Sequence, residues 1–147
     1  MLILKYSGLR RQMMNKQQNL AKSYQSTETY SGVAYADPHS LITRMFDGAL
    51  RKIAQAKGAI ERNLIAEKGE LIGDSINIIG SLDACLDHQN GGEISKNLGE
   101  LYEYMIFTLA HANINNDKTR LDEVSRLILE IKSAWVQIAP QHPKKVG

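Results

Sequence analysis

The sequence predicts an all-α protein, an antiparallel four-helix bundle over residues 37–139 with a mobile N-terminal arm, 1–36, and a short basic tail, 140–147. Three observations predict it. Apolar residues recur four times over at alternating steps of three and four, the signature of a helix with one buried stripe. Only three prolines occur in 147 residues, which leaves room for long uninterrupted helices. Short polar or glycine-containing stretches separate the four apolar patterns, and short loops force neighbouring helices to run in opposite directions.

The first helix opens in "DPHSLITRMFDGAL", residues 37–50. Asp37 suits an N-cap and Pro38 the first helical position, where a missing N–H costs nothing. Ile42, Phe46, Ala49, Ile53, Ala56 and Ile60 step by four, three, four, three and four, and "RNL" then ends the helix. In the second helix, about Ala66 to His88, Ile72, Ser75, Ile79, Leu82 and Leu86 repeat the spacing. "NGG" at 90–92 breaks the chain. The third helix, about Gly92 to Asn113, has Ile94, Leu98, Leu101, Met105, Thr108 and Ala112 as its seam. "NINND" follows, and Asp117 can cap a fourth helix whose seam is Leu121, Val124, Ile128, Ile131, Trp135 and Ile138, stopped by Pro140 and Pro143.

Charge is unevenly spread. Residues 1–36 hold five Lys or Arg against one acid, Glu28, whereas residues 37–139 hold eleven basic and fifteen acidic residues. A mildly acidic body argues against a nucleic-acid surface. No apolar run approaches the ~18 residues that span a bilayer, and "MLILKY" lacks the features of a secretory signal. A single cysteine, Cys85, excludes an internal disulfide and suits a reducing compartment, so the expected location is the cytoplasm. Met13 and Met14 are alternative starts, and residues 1–13 read as an upstream extension.

Catalysis finds no foothold. The Glu-x-x-His pairs of di-iron bundles are missing, and His39, His88, His111 and His142 have no acid or cysteine at ligand spacing. His111 lies inside a helix, but "TLAHANIN" lacks the Lys-Gly of phosphotransfer modules. Cys85 has no neighbour that would lower its pKa. "NGG" follows no strand and is not a phosphate loop. No metal, cofactor or enzymatic activity is implied.

Apolar surface, by contrast, exceeds what one core needs. The second helix places Ile65, Ile72 and Ile76 on one flank of its seam and Ile78 and Cys85 on the other. In the fourth helix Leu129 and Val136 lie one heptad apart outside the seam, and in the third Phe107 faces away from it, in line with Lys96, Glu100 and Glu103. Gly48, beside Leu41 and Met45 on the first helix, lets another backbone approach closely, either a neighbouring helix of the bundle or a docking chain. Such faces suit a partner's amphipathic helix. Homodimerisation is the rival.

Four motifs, "ADPHSLITRMFDGAL", "GGEISKNLGELYEYM", "HANINND" and "LDEV…AW", occur in an order and at separations that resemble the flagellin-specific export chaperones, the FliS family. The resemblance runs from about Met14 to Ile138. It implies a cytoplasmic chaperone that binds the disordered C-terminal segment of flagellin, which becomes helical around the bundle. Premature polymerisation is thereby prevented and the subunit is presented to the membrane export gate, without ATP hydrolysis. It further implies that an N-terminal tyrosine, matched here by Tyr24 with Tyr30 as its rival, covers part of the client site. Asp47 and Gly48 match an Asp-Gly pair at or beside that site. Leu101, Tyr102 and Met105 match a helix-three signature, and Asn113, Asn116 and Asp117 match a helix-end motif. Many relatives have Arg-Arg after Tyr-x-Tyr-Met, where this chain has "IFTLAH". The expected contact surface is Tyr24, Leu41, Met45, Gly48, Ile65, Ile72, Ile76, Leu129 and Val136. The alternative function is a self-associating or adaptor bundle that binds another flagellar or regulatory protein.

Overall fold

The computed structural model describes residues 37–138. They form four helices, α1 (Pro38–Glu61), α2 (Ile65–Ala84), α3 (His88–Asn115) and α4 (Lys118–Gln137), joined by connections of two or three residues. In this all-α bundle α1 packs on α2 and α4, and α3 packs on the same two, which closes a four-membered ring. Three cross-helix ion pairs give the register of α1 against α4: Asp47 with Lys132, Lys57 with Asp122 at 2.7 Å and Glu61 with Lys118 at 3.4 Å. Residue numbers rise on one helix as they fall on the other, so the two run antiparallel.

Capping follows the sequence closely. Asp37 accepts a hydrogen bond from the Ser40 amide at 2.7 Å, with Pro38 behind it. Asp117 accepts from the amides of Thr119 and Arg120, as its place before the fourth seam suggests. Asp87 does the same for α3 through Gln89 and Asn90. The side-chain hydrogen bond from Asn90 and the amide bonds hold the Asp87 carboxyl below the usual carboxylate range. Asn63 and Asn116 turn the chain out of α1 and α3 with φ of 58° and 50°, a left-handed backbone that asparagine tolerates. Asn113 caps nothing by its side chain; its carbonyl accepts from Lys68 instead.

The core is continuous through all four helices. Phe46, Ala49, Ile53 and Ala56 of α1 meet Ile72, Ile79 and Leu82 of α2, Met105, Leu109 and Ala112 of α3, and Leu121, Val124 and Ile128 of α4. These are mostly the residues of the four seams.

The structure corrects the sequence expectation in three places. The second helix stops at Ala84 rather than His88. The third begins at His88, four residues early, and contains one non-helical residue, Gly92 (φ 53°, ψ −124°). Only glycine adopts that conformation without strain. Downstream of it Ser95, Gly99, Tyr102 and Leu109 are buried together with the seam residues Met105, Thr108 and Ala112, while Leu98 and Leu101 are half-buried and Ile94 is exposed. At the end of α4, Ile138 is likewise exposed.

Candidate partner-binding surface

The bundle's ends are fastened by two unlike devices. At one end the His39 and Trp135 rings stack with centroids 4.5 Å apart and planes 12° apart. The Trp135 Nε1–H donates to the His39 carbonyl at 3.1 Å, and His39 Nε2 lies 2.7 Å from the Trp135 carbonyl. The first turn of α1 is thus clamped to the last turn of α4. At the other end Lys68 of α2 is buried, and its Nζ donates to the Asn113 carbonyl at 2.8 Å and to Asn116 Oδ1. A cation placed on the last carbonyls of α3 also complements the helix dipole.

Between those ends the predicted contact residues separate into two groups. Leu41, Met45, Gly48 and Ile72 are buried. As the bundle stands they form its interior, so they shape an outer surface from beneath and do not present one. The wide stripe of α2 is therefore split, with Ile72 and Ile78 in the core and Ile65 and Cys85 reaching solvent, and Gly48 of α1 is buried. Ile76 is half-buried against the core. Ile65, Leu129 and Val136 are exposed, at 56%, 51% and 47%. Tyr24 lies outside the described residues.

Leu129 and Val136 share one environment. Leu129 follows Asp122 by seven residues and Val136 follows Lys132 by four, so all four lie in one strip of α4. Since Asp122 and Lys132 both reach across to α1, Leu129 and Val136 border the groove between α1 and α4. Ile65 stands apart, at the first turn of α2 beside the exposed Leu64. The three exposed residues therefore do not form a single patch.

The sequence reading did not place Leu64, Tyr104 and Ile114 at the surface, and all three are exposed. Ile114 and Tyr104 share a strip of α3 with Phe107, whose position opposite the seam was the available signal. Among the described residues no group of three or more His, Cys, Asp or Glu could hold a metal ion. Burial around the Cys85 sulfur pushes its pKa up, although part of the residue reaches solvent, which leaves a protonated, weakly nucleophilic thiol. Among the described residues no helix is long and apolar enough to cross a membrane. What this surface offers is apolar contact beside ordered ion pairs.

Comparison with known proteins places the chain. The model of the flagellar protein FliS matches residues 19–142. The flagellar secretion chaperone FliSB of Pseudomonas aeruginosa is 52% identical over 114 residues, which cover 78% of this chain and 90% of that protein. The flagellar secretion chaperone FliS of Salmonella typhimurium is 43% identical over 121 residues, 82% of this chain and 90% of its own. The corresponding chaperone of Vibrio cholerae is 39% identical over 121 residues, 82% of this chain and 89% of its own. With the bundle, its capped ends and these matches together, the chain belongs to the FliS family of flagellar proteins.

Proposed function

We propose that this protein is a cytoplasmic, non-enzymatic export chaperone. It binds the disordered C-terminal segment of flagellin, prevents premature polymerisation and delivers the subunit to the flagellar export gate. The observation that carries this is the exposed pair Leu129 and Val136, one heptad apart along the α1–α4 groove, on a chain whose relatives are named flagellar secretion chaperones. Two apolar residues at that spacing suit one face of an amphipathic helix laid along the groove. Asp47, Asp122 and Lys132 beside them provide polar edges that fix its direction.

A disordered client fits this surface physically. Such a segment loses conformational entropy when it becomes helical, and only a long interface recovers that loss. Separate apolar sites, Leu129 with Val136 on one side and Leu64 with Ile65 at one end, favour a client that wraps the bundle over a compact one that docks once. Tyr24 and the rest of the N-terminal arm would compete for part of the same surface.

Co-elution of the full chain with flagellin, intact and lacking its last ~40 residues, tests the proposal; that length wraps a bundle of ~30 Å helices. A one-to-one complex with intact flagellin that vanishes with the truncation is the expected outcome. Complexes with both forms, or with neither, would return the function to an adaptor for another flagellar protein.

A further inference from the structure

The first three helices stay buried to their ends. Ala59, Leu82 and Ala112 are buried within a turn of the last residues of α1, α2 and α3. The fourth helix differs. Its last buried residue is Ile128, more than two turns before Gln137. Beyond it Ile131 and Trp135 pack only partly against the core, and every other side chain as far as Ile138, Lys132 excepted, is exposed. What ties this segment down is a set of side-chain contacts to the N-terminal part of α1. Trp135 stacks on His39 and donates to its carbonyl, His39 Nε2 lies against the Trp135 carbonyl, and Lys132 pairs with Asp47. Leu129 and Val136 ride on the same segment.

A stretch with few buried contacts opens at a lower free energy than the core beside it. We propose that α4 beyond Ile128 is a latch: it opens as a unit while Leu121, Val124 and Ile128 stay packed, and His39, Trp135 and Lys132 hold it shut. Because the latch carries the α4 wall of the α1–α4 groove, that groove is complete only when the latch is closed. A client helix that touches both walls binds the closed state alone and draws the latch shut, and the coupling is reciprocal. This last step rests on the flagellin-binding function proposed above; the latch itself does not.

Amide hydrogen exchange of the full chain, followed residue by residue by NMR, tests this. The amides of 132–137 are expected to share one protection factor, at least tenfold below that of 124–128. Val124→Ala weakens packing that persists when the latch is open. It should speed exchange at 124–128 at least tenfold and leave 132–137 within about twofold, with Ile53→Val as a milder core variant. Trp135→Phe, which loses the Nε1–H, and Lys132→Ala should each speed 132–137 several-fold. Protection that falls off steadily toward the helix end would mean simple fraying, and a Val124→Ala effect equal on both sets would mean exchange by global unfolding. Either result overturns the latch. Adding the isolated C-terminal segment of flagellin should slow exchange at 132–137 at least tenfold. A bound segment that leaves it unchanged overturns the coupling. A segment that does not bind overturns the function proposed above and the coupling with it, while the exchange pattern of the free protein decides the latch.

Discussion

His39 and Trp135 show how much one residue pair can contribute. Each side chain bonds the other's main chain while the rings stack, so neither can leave without exposing a polar group. His39→Ala should lower stability by about 1–2 kcal/mol, the worth of such hydrogen bonds plus the ring contact. Because Trp135 is the one tryptophan of the chain, its emission should shift to the red in the same variant. Unchanged emission and an unchanged melt would remove the clamp from the account. Tyr102 offers a second check. Burial first, and the nearby Asp83 charge next, push its phenol well above the ordinary tyrosine range. The folded state therefore favours the neutral phenol. Its stabilising effect is present below pH ~10, the unfolded pKa, and is lost as pH rises through the folded value. Absorbance titration at alkaline pH should find one of the six tyrosines silent until the protein unfolds. If all six ionise while the fold persists, Tyr102 is not buried as described.

Helices and their ends were the most legible part of the sequence, because caps and apolar steps are local signals. Asp37 with Pro38 and Asp117 stand where the pattern starts, and Asp117→Ala should cost about 1 kcal/mol in a denaturant melt. The misreadings have physical causes. At α3 the apolar residues Ile94, Leu98 and Leu101 suggested one face, but Ile94 is exposed and Leu98 and Leu101 are only partly buried, while the small Ser95 and Gly99 are buried. A Cβ added to Gly99 would meet Asp83 at 3.4 Å and Leu86 at 3.6 Å, ordinary contact distances, so the position is buried without carrying an apolar side chain that the pattern could reveal. The positive φ of Gly92 also separates the first turn from the rest of the helix, which interrupts the periodicity. Lys68 was unreadable as a buried residue, since its partners lie 45 and 48 residues away. Lys68→Met keeps the stem but leaves a partly buried carbonyl and an asparagine without their donor. A loss of about 1–3 kcal/mol is expected, measured by urea unfolding. Leu41, Met45, Gly48 and Ile72 show a different limit. A broad apolar stripe has the same sequence pattern whether it lines a wide core or a docking groove, and only the packed neighbours decide between them.

At the scale of the whole molecule, the described residues form a closed ring of four helices with a continuous apolar core and further apolar side chains exposed outside it. That division separates variants by outcome. Leu129→Asp and Val136→Asp alter exposed positions, so the melting temperature should stay within a few degrees while affinity for the client falls at least tenfold, about 1.4 kcal/mol or more. Ile72→Asp places an unpaired carboxylate in the core and should prevent cooperative folding. Binding that survives Leu129→Asp and Val136→Asp together would move the client away from the α1–α4 groove. The most direct measurement is the far-ultraviolet circular dichroism of this protein mixed with the isolated C-terminal segment of flagellin. If a disordered segment folds onto the bundle, the mixture is more helical than the sum of its parts, and the gain saturates at one segment per chain. A spectrum equal to that sum at every ratio would contradict the account.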